Sequence, residues 1–381
     1  MIEQAHRTWI ELDRSAVTHN TQRLAGLLKP GVAHCAVVKA NAYGHGLKEM
    51  VQLLSDQGIV FFGADSIDEA MQIREAAPRA EIIVLGYTIS KRFHDVIRAN
   101  VIQTIANEEQ LATFNQMAAK AQTMGRISLK LETGTMRRGI DAKKLPRTLM
   151  TVKQQGSLEL ASVHSHFCDS ESKKGEEFTF AQYNLFADLY KTIRAQGFDP
   201  RYVHISSSAA TTLFPDLEGN VARFGIMNYG LWPSKEVKHR NQISPRGIEL
   251  KPVLSWRTRI AQIKDIPPGT TIGYDRTFVS DRPMRIAVLP VGYYDGYRRT
   301  YRDGAEVLIH GQRCRVLGSI CMNMMMVDVS QLPQVKRDDI ATLLGRDGMH
   351  VITAEHLAEW GRTINYEATT QISPHLPRII V

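Results

Sequence analysis

The chain has 381 residues, of which 43% are hydrophobic and 23% charged, with four cysteines and a formal net charge of +8. This composition excludes a disulfide-stapled miniprotein, a collagen-like repeat and a disordered tail, and the length fits one large domain plus a smaller one. The positive balance is dispersed: its densest run, Arg298, Arg299 and Arg302, is broken by Thr300 and Tyr301, so nucleic acid is not an expected partner.

The opening stretch MIEQAHRTWIELDR is charged and lacks the apolar core of a signal peptide, and no run of about 18 apolar residues follows. A cytoplasmic protein without a membrane partner is the expectation. Short β-rich runs then alternate with helical patterns. Strands are predicted at 36–39, 60–64, 82–86, 101–105, 127–132, 160–164, 202–206 and 221–226. Ser66 followed by Glu69, and Asn107 followed by Gln110, read as capping boxes opening two of the intervening helices. The longest helix is predicted over 176–197, stopped by Gly197. Eight strands alternating with helices point to a (β/α)8 barrel of the TIM type, an α/β architecture. Near Leu250 the pattern changes to strand after strand, at 253–263, 285–291, 306–314 and 324–329, with a turn at 267–269. The predicted division is therefore a barrel domain over 1–245 and a mostly-β domain over 246–381.

None of the four cysteines, Cys35, Cys168, Cys314 and Cys321, has CxxC spacing, so neither a zinc ribbon nor a thioredoxin-like motif is supported. In AVVKANAYGHG, residues 36–46, three apolar residues place Lys39 at the carboxyl end of a buried strand. On a barrel that end is the catalytic face, and removal from water favours the neutral, nucleophilic amine that Schiff-base chemistry needs. The same lysine could simply reach out to solvent from a strand end. Arg223, Gly225 and Ile226 end a later strand, where backbone N–H groups could meet a phosphate. Ser207 and Ser208 supply hydroxyls after another strand. His164 and His166 form an H-x-H pair that could ligate a metal, but no further His and Asp set completes a shell, and no metal is predicted. Tyr274 sits in a glycine turn of the β domain, where a phenol can be a general acid or base beside a cation or can merely pack.

Taken together, AVVKANAYGHG, VHSHF, HISSSAA, ARFGIMNYG, PVGYYDGYRR, CMNMMMVDV and INYE, with TWIELDRSAVTHN at the start, resemble the alanine racemase family of pyridoxal 5′-phosphate (PLP) enzymes in order and spacing over essentially the whole chain. The resemblance implies a homodimer with shared active sites, acting on a small amino acid and supplying D-alanine for peptidoglycan. By position, Lys39 resembles the lysine that carries PLP and acts on the D-substrate. Tyr274 resembles the second base, delivered by the partner subunit for the L-substrate. Arg223 resembles the arginine facing the pyridine nitrogen, and His166 the histidine beside the ring. Tyr43, Ser208, Gly225, Ile226 and Tyr366 resemble phosphate contacts, and Leu85 and Ser207 complete the cofactor set. Arg137 and the backbone of Met322 resemble the groups that meet the substrate carboxylate. Lys130 matches a lysine that is often carbamylated in that family.

The sequence departs from the family pattern at Ser207, Ser319 and Asn323, and Glu171 stands where a channel aspartate is usual. These departures imply a more permissive channel. A broader-specificity or serine/lysine racemase of the same fold is therefore the nearest alternative. A non-catalytic PLP carrier is the alternative from a different class, although such carriers lack a β domain.

Overall fold

The computed structural model describes residues 5–217 and 219–381. Two compact units emerge. One comprises Val17–Ala40 and Met50–Lys251; the other joins the chain start through Ala16, Asn41–Glu49 and Pro252–Val381. The predicted division at 245/246 is continuous, whereas the second unit gathers three separate segments.

The first unit contains strands β2 (Ala33–Val37), β3 (Phe61–Ala64), β4 (Glu81–Val84), β5 (Ile102–Ile105), β6 (Gly125–Lys130), β7 (Leu158–His164), β8 (Tyr202–His204) and β9 (Val221–Phe224), numbered after an N-terminal strand β1 (Thr8–Leu12). Neighbours pair in parallel in the order β8-β7-β6-β5-β4-β3-β2-β9, so the first barrel strand lies beside the last. All eight predicted strands exist, with ends shifted by a few residues. β3, β5 and β9 are buried along their whole length, as strands covered on both faces must be, and the burial encloses even the polar Gln103 and Thr104 of β5 and Arg223 of β9. Cys35, Phe61, Ile83, Ile102, Ala161, Tyr202 and Val221, one from every strand but β6, meet in a single buried cluster.

The ladder is interrupted between β8 and β9, and Asn220 closes the seam. Its backbone N–H donates to the Val203 carbonyl at 3.0 Å. Its side-chain oxygen accepts from the Val203 N–H at 2.7 Å, and its amide nitrogen donates to the Arg201 carbonyl at 2.8 Å. Gly219 permits the approach: a Cβ there would lie 1.9 Å from the Val203 carbonyl oxygen.

Both predicted capping boxes are half formed. Ser66 accepts from the Glu69 N–H at 3.2 Å and Asn107 from the Gln110 N–H at 2.8 Å. The return bond goes one residue further out, from Asp65 N–H to Glu69 and from Ala106 N–H to Gln110. The longest helix, Glu176–Ala195, ends ahead of Gly197, which takes a left-handed φ of 86°.

The second unit is built on a sheet ordered β11-β14-β17-β16-β15-β18-β10-β1-β20. It continues from β1 with β10 (Leu254–Arg259), β11 (Gln262–Ile266), the small pair β12 (Thr271–Ile272) and β13 (Phe278–Val279), β14 (Met284–Leu289), β15 (Glu306–Ile309), β16 (Gln312–Leu317), β17 (Met325–Asp328), β18 (Ile340–Asp347), β19 (His350–Ile352) and β20 (Arg378–Ile380). The TWIEL segment forms β1, which pairs antiparallel with β10 and parallel with β20. Two sequence expectations need correction here. The single strand expected over 253–263 is two, because the chain breaks at Ile260 and Ala261 and sends β11 to pair with β14 instead. The strand expected over 306–314 is the β15–β16 hairpin, turned by His310 and Gly311 at φ of 49° and 71°.

Asn220→Ala should destabilise the protein by about 1 kcal/mol, because it removes two of the three hydrogen bonds at the seam. A urea midpoint equal to that of the unaltered protein would contradict the closure described.

Candidate active site

Lys39 does not lie on the strand as predicted. β2 ends at Val37, and Lys39 opens a short turn over Lys39–Tyr43. Ala40, Asn41, Ala42 and Tyr43 all take φ between 52° and 54°, so the turn is left-handed. Such a run costs non-glycine residues roughly 1–2 kcal/mol each and persists only where surroundings enforce it. On the strand side, the Tyr229 hydroxyl donates to the Val37 carbonyl at 2.9 Å and Val38 N–H donates to the Gly63 carbonyl at 2.9 Å.

Within the barrel unit the centre of the site is Arg223, on β9. It is 5% exposed. One of its terminal nitrogens donates to the carbonyls of Ser165 (2.8 Å) and Ile205 (3.1 Å) and to Nδ1 of His166 (3.0 Å). The other donates to Nδ1 and to the carbonyl of His204. Burial pulls the guanidinium down to about 10, which leaves it charged at neutral pH.

That charge sets the state of its neighbours. Burial and Arg223 together hold His166 and His204 well below the usual imidazole range, and His166 also feels Arg137, Lys130 and Lys39. Lys39, Lys130, Arg137 and Arg223 are thereby brought within electrostatic reach of one imidazole. Both histidines are neutral, and since Nδ1 of each accepts from Arg223, the proton sits on Nε2. His204 passes it to Ser162 at 3.0 Å, and its ring stacks on His164 with centroids 5.0 Å apart. His164 in turn shares its Nδ1 with the Ser128 hydroxyl at 2.8 Å. The predicted H-x-H pair therefore has its Nδ1 atoms committed to Ser128 and Arg223, and no cluster that could hold a metal occurs among the described residues.

Lys130 ends β6 and is 8% exposed. Burial, then Arg137, Arg138 and Arg223, bring its amine down to about 8. Leu85 packs on the buried barrel cluster. Ser207 caps the short helix Ser208–Leu213, and the Ser208 hydroxyl accepts the Gly225 N–H at 3.0 Å, which leaves the hydroxyl proton to be donated elsewhere. Ile226 opens the turn that follows.

The second unit carries the remaining predicted residues. The Tyr43 and Tyr366 rings lie with centroids 6.0 Å apart. Gly44 fits against the Thr369 carbonyl, where a Cβ would sit 1.9 Å from the oxygen, and Arg378 donates to the Gly44 carbonyl at 2.9 Å. Tyr274 is 65% exposed in a turn whose next two residues, Asp275 and Arg276, have positive φ, and Arg299 holds Asp275 at 3.0 Å. Thr277 bonds the buried Ser319 hydroxyl at 3.2 Å. Three residues on, the Met322 carbonyl accepts the Tyr294 N–H at 3.0 Å, and the Met322 side chain is exposed. The sequence pointed to no site role for His204 or Glu69. The histidine beginning HISSSAA, 19 residues before the arginine of ARFGIMNYG, was the available signal for the first. Nothing local distinguished the second from a helix cap.

A lysine just beyond a strand's carboxyl end, set among buried cations with no carboxylate bonded to the innermost, defines a barrel enzyme for an anionic, carbonyl-bearing cofactor. A family model described as alanine racemase, N-terminal domain, matches residues 12–233, and one described as alanine racemase, C-terminal domain, matches residues 253–380. The chain belongs to the alanine racemase family. Alanine racemase of Leptospira interrogans serovar Lai is 32% identical over 382 residues, covering 100% of this chain and 97% of that protein. The crystal structure of alanine racemase from Bacillus anthracis with bound L-Ala-P superposes with a TM-score of 0.92 at 31% identity, covering 99% and 96% of the two chains. That of Clostridium difficile 630 alanine racemase gives 0.93 at 28%, covering 100% and 97%.

The family depends on PLP, and the residues present fit it. Lys39 offers an amine, the Ser208 hydroxyl retains a proton to give, and the buried Arg223 donates without being an acid.

The neutral histidines carry a stability signature. His34 is lowered to about 4 by burial, and burial, with the charge of Arg223, holds His164, His166 and His204 well below the usual imidazole range. A histidine whose folded pKa is depressed contributes stability that is full above the unfolded value near 6.5 and is lost as pH falls towards the folded value, at about 1.4 kcal/mol per pH unit for each group. The urea midpoint should therefore fall steeply between pH 6.5 and about 4. A flat profile would contradict the neutral assignment.

Proposed function

We propose that the protein interconverts L- and D-alanine with PLP by a two-base mechanism, in a homodimer whose active sites are shared. The observation that carries the reading is the cationic cluster around Arg223, matched by family membership over both halves of the chain. Bound PLP supplies the electron sink that makes the substrate Cα–H acidic. Ser207, Ser208, Gly225, Ile226, Tyr43 and Tyr366 hold its phosphate end, while Leu85 and His166 flank the ring. Arg223, whose two terminal nitrogens already donate to Ser165, Ile205, His166 and His204, would present its Nε–H to the ring nitrogen and keep its protons, because a guanidinium is too weak an acid to give one up. Arg137 and the Met322 backbone hold the substrate carboxylate. Lys39 takes or returns the Cα proton on the face used by the D-enantiomer and Tyr274 on the face used by the L-enantiomer. One base per face is the simplest arrangement for inversion.

In this reading residues 1–245 supply all the cofactor contacts but Tyr366, and residues 246–381 also reach the partner's site. The exposure of Tyr274, Met322 and Ile364 supports a covering partner. Cytoplasmic residence is supported by four free thiols, and no helix among the described residues is long and apolar enough to cross a membrane. The D-alanine formed feeds peptidoglycan synthesis.

Lys39→Ala should abolish the visible absorbance of the bound cofactor and the racemisation of alanine followed by chiral chromatography, with serine and lysine as comparison substrates. Tyr274→Phe should impair proton removal from L-alanine more than from D-alanine; equal loss would refute the face assignment. Mixing the two inactive variants, with subunit exchange, should restore up to about a quarter of wild-type activity, since each mixed dimer holds one site with both lesions and one with neither. No restoration would place Lys39 and Tyr274 of a site in the same chain.

Lys130 is proposed to be carbamylated. Its amine at about 8 leaves a neutral fraction of about a tenth at pH 7, which carbon dioxide requires, and the carbamate would turn a buried cation beside Arg137 into an anion. A carbamate resonance after growth in 13C-bicarbonate should appear and vanish in Lys130→Ala. Identical spectra would reject the modification.

A further inference from the structure

We infer that Glu69 is a positioning residue for Lys39, holding the left-handed turn that aims the lysine. The inference rests on the reading of Lys39 as the PLP lysine. Glu69 stands in the first turn of the helix Ile67–Ala76, where a glutamate ordinarily returns its carboxylate to the N-cap N–H. Here neither oxygen is recorded on Ser66. One accepts the Asp65 N–H at 2.8 Å, and the other accepts the Ala40 N–H at 2.6 Å.

Ala40 is the residue after Lys39 and the first of the four with positive φ. The first N–H groups of a helical turn have no partner within the turn, and this one meets an ionised acceptor. The bond fixes the peptide plane between Lys39 and Ala40, and with it the ψ angle of Lys39. On the other side, Val38 N–H is fixed by the Gly63 carbonyl. The Lys39 backbone is thus held on its carboxyl side by the Glu69 side chain, at the peptide it shares with Ala40, and one peptide further back on its amino side by the β3 backbone. Alanine, asparagine and tyrosine do not choose a left-handed turn unaided, so an outside restraint must help hold it. Asp65, bonded to the same carboxylate, ties that restraint to the end of β3.

The test compares the holoenzymes of wild type, Glu69→Ala, Glu69→Gln and Ser66→Ala, challenged with hydroxylamine while cofactor absorbance is followed. Borohydride reduction and peptide mass mapping measure the fraction of Lys39 carrying PLP. Glu69→Ala should lose cofactor about tenfold faster and lower kcat for alanine with little change in KM, as loss of a charge-assisted bond predicts. Glu69→Gln keeps an oxygen for Ala40 and should fall between it and wild type. It also serves if the alanine variant does not fold. Ser66→Ala removes the helix cap while leaving the carboxylate, and should release cofactor like wild type. Equal acceleration in Glu69→Ala and Ser66→Ala would reduce Glu69 to helix stability and overturn the inference, as would a Glu69→Ala variant that matches wild type. A wild-type protein that takes up no PLP would instead overturn the function proposed above.

Discussion

A guanidinium removed from water and bonded only to carbonyls and neutral imidazoles is the constraint on which the barrel site depends. Burying a charge without a counter-ion costs several kcal/mol even after relaxation, and Arg223 offsets this with contacts to three carbonyls and two ring nitrogens. The arrangement works only while the imidazoles stay neutral, because a protonated His166 or His204 would have no lone pair to offer and would add a second charge. Burial lowers Lys130 too, aided by Arg137, Arg138 and Arg223 in that order. Arg223 therefore fixes a protonation pattern several residues wide, and that pattern is complementary to an anion.

This pattern also limits the chemistry. A carboxylate in the place of Arg223 would accept a hydrogen bond from a protonated ring nitrogen and so would strengthen the electron sink of a bound cofactor. A guanidinium offers donors only. Under the proposed reading the weaker electron sink beside Arg223 would favour return of the Cα proton over decarboxylation or transamination. His204 and Ser162 serve this indirectly by holding Arg223 in one orientation.

The barrel was legible in the sequence because its strands are short apolar runs separated by capped helices, and local pattern is enough to find them. The β-rich unit was less so. β1 and β20 join its sheet from opposite ends of the chain, a pairing that no local signal encodes. The turn at His310 has no asparagine or aspartate to announce it, and β10 and β11 run together as one alternating stretch until partners separate them. At the site, the residue types were legible and their backbone was not. Ala40, Asn41, Ala42 and Tyr43 carry no glycine to advertise a left-handed turn, and Glu69 reads as a cap because its tertiary partner lies 29 residues away.

The two proposed proton carriers differ in a way that bears on assembly. Lys39 lies amid the barrel's own cations, whereas Tyr274 is 65% exposed on a turn of the other unit, with its neighbour Asp275 already bound to Arg299. A phenol carries protons efficiently only where water is excluded and positive charge is close enough to favour the phenolate. Exposed surface supplies neither. A second copy's barrel, with its cluster of lysine and arginine, would supply both at once. It would also gain the hydroxyl it needs on the opposite face of the substrate. On that argument dimerisation is part of the catalytic machinery, and a monomeric variant should bind PLP at Lys39 while failing to invert alanine.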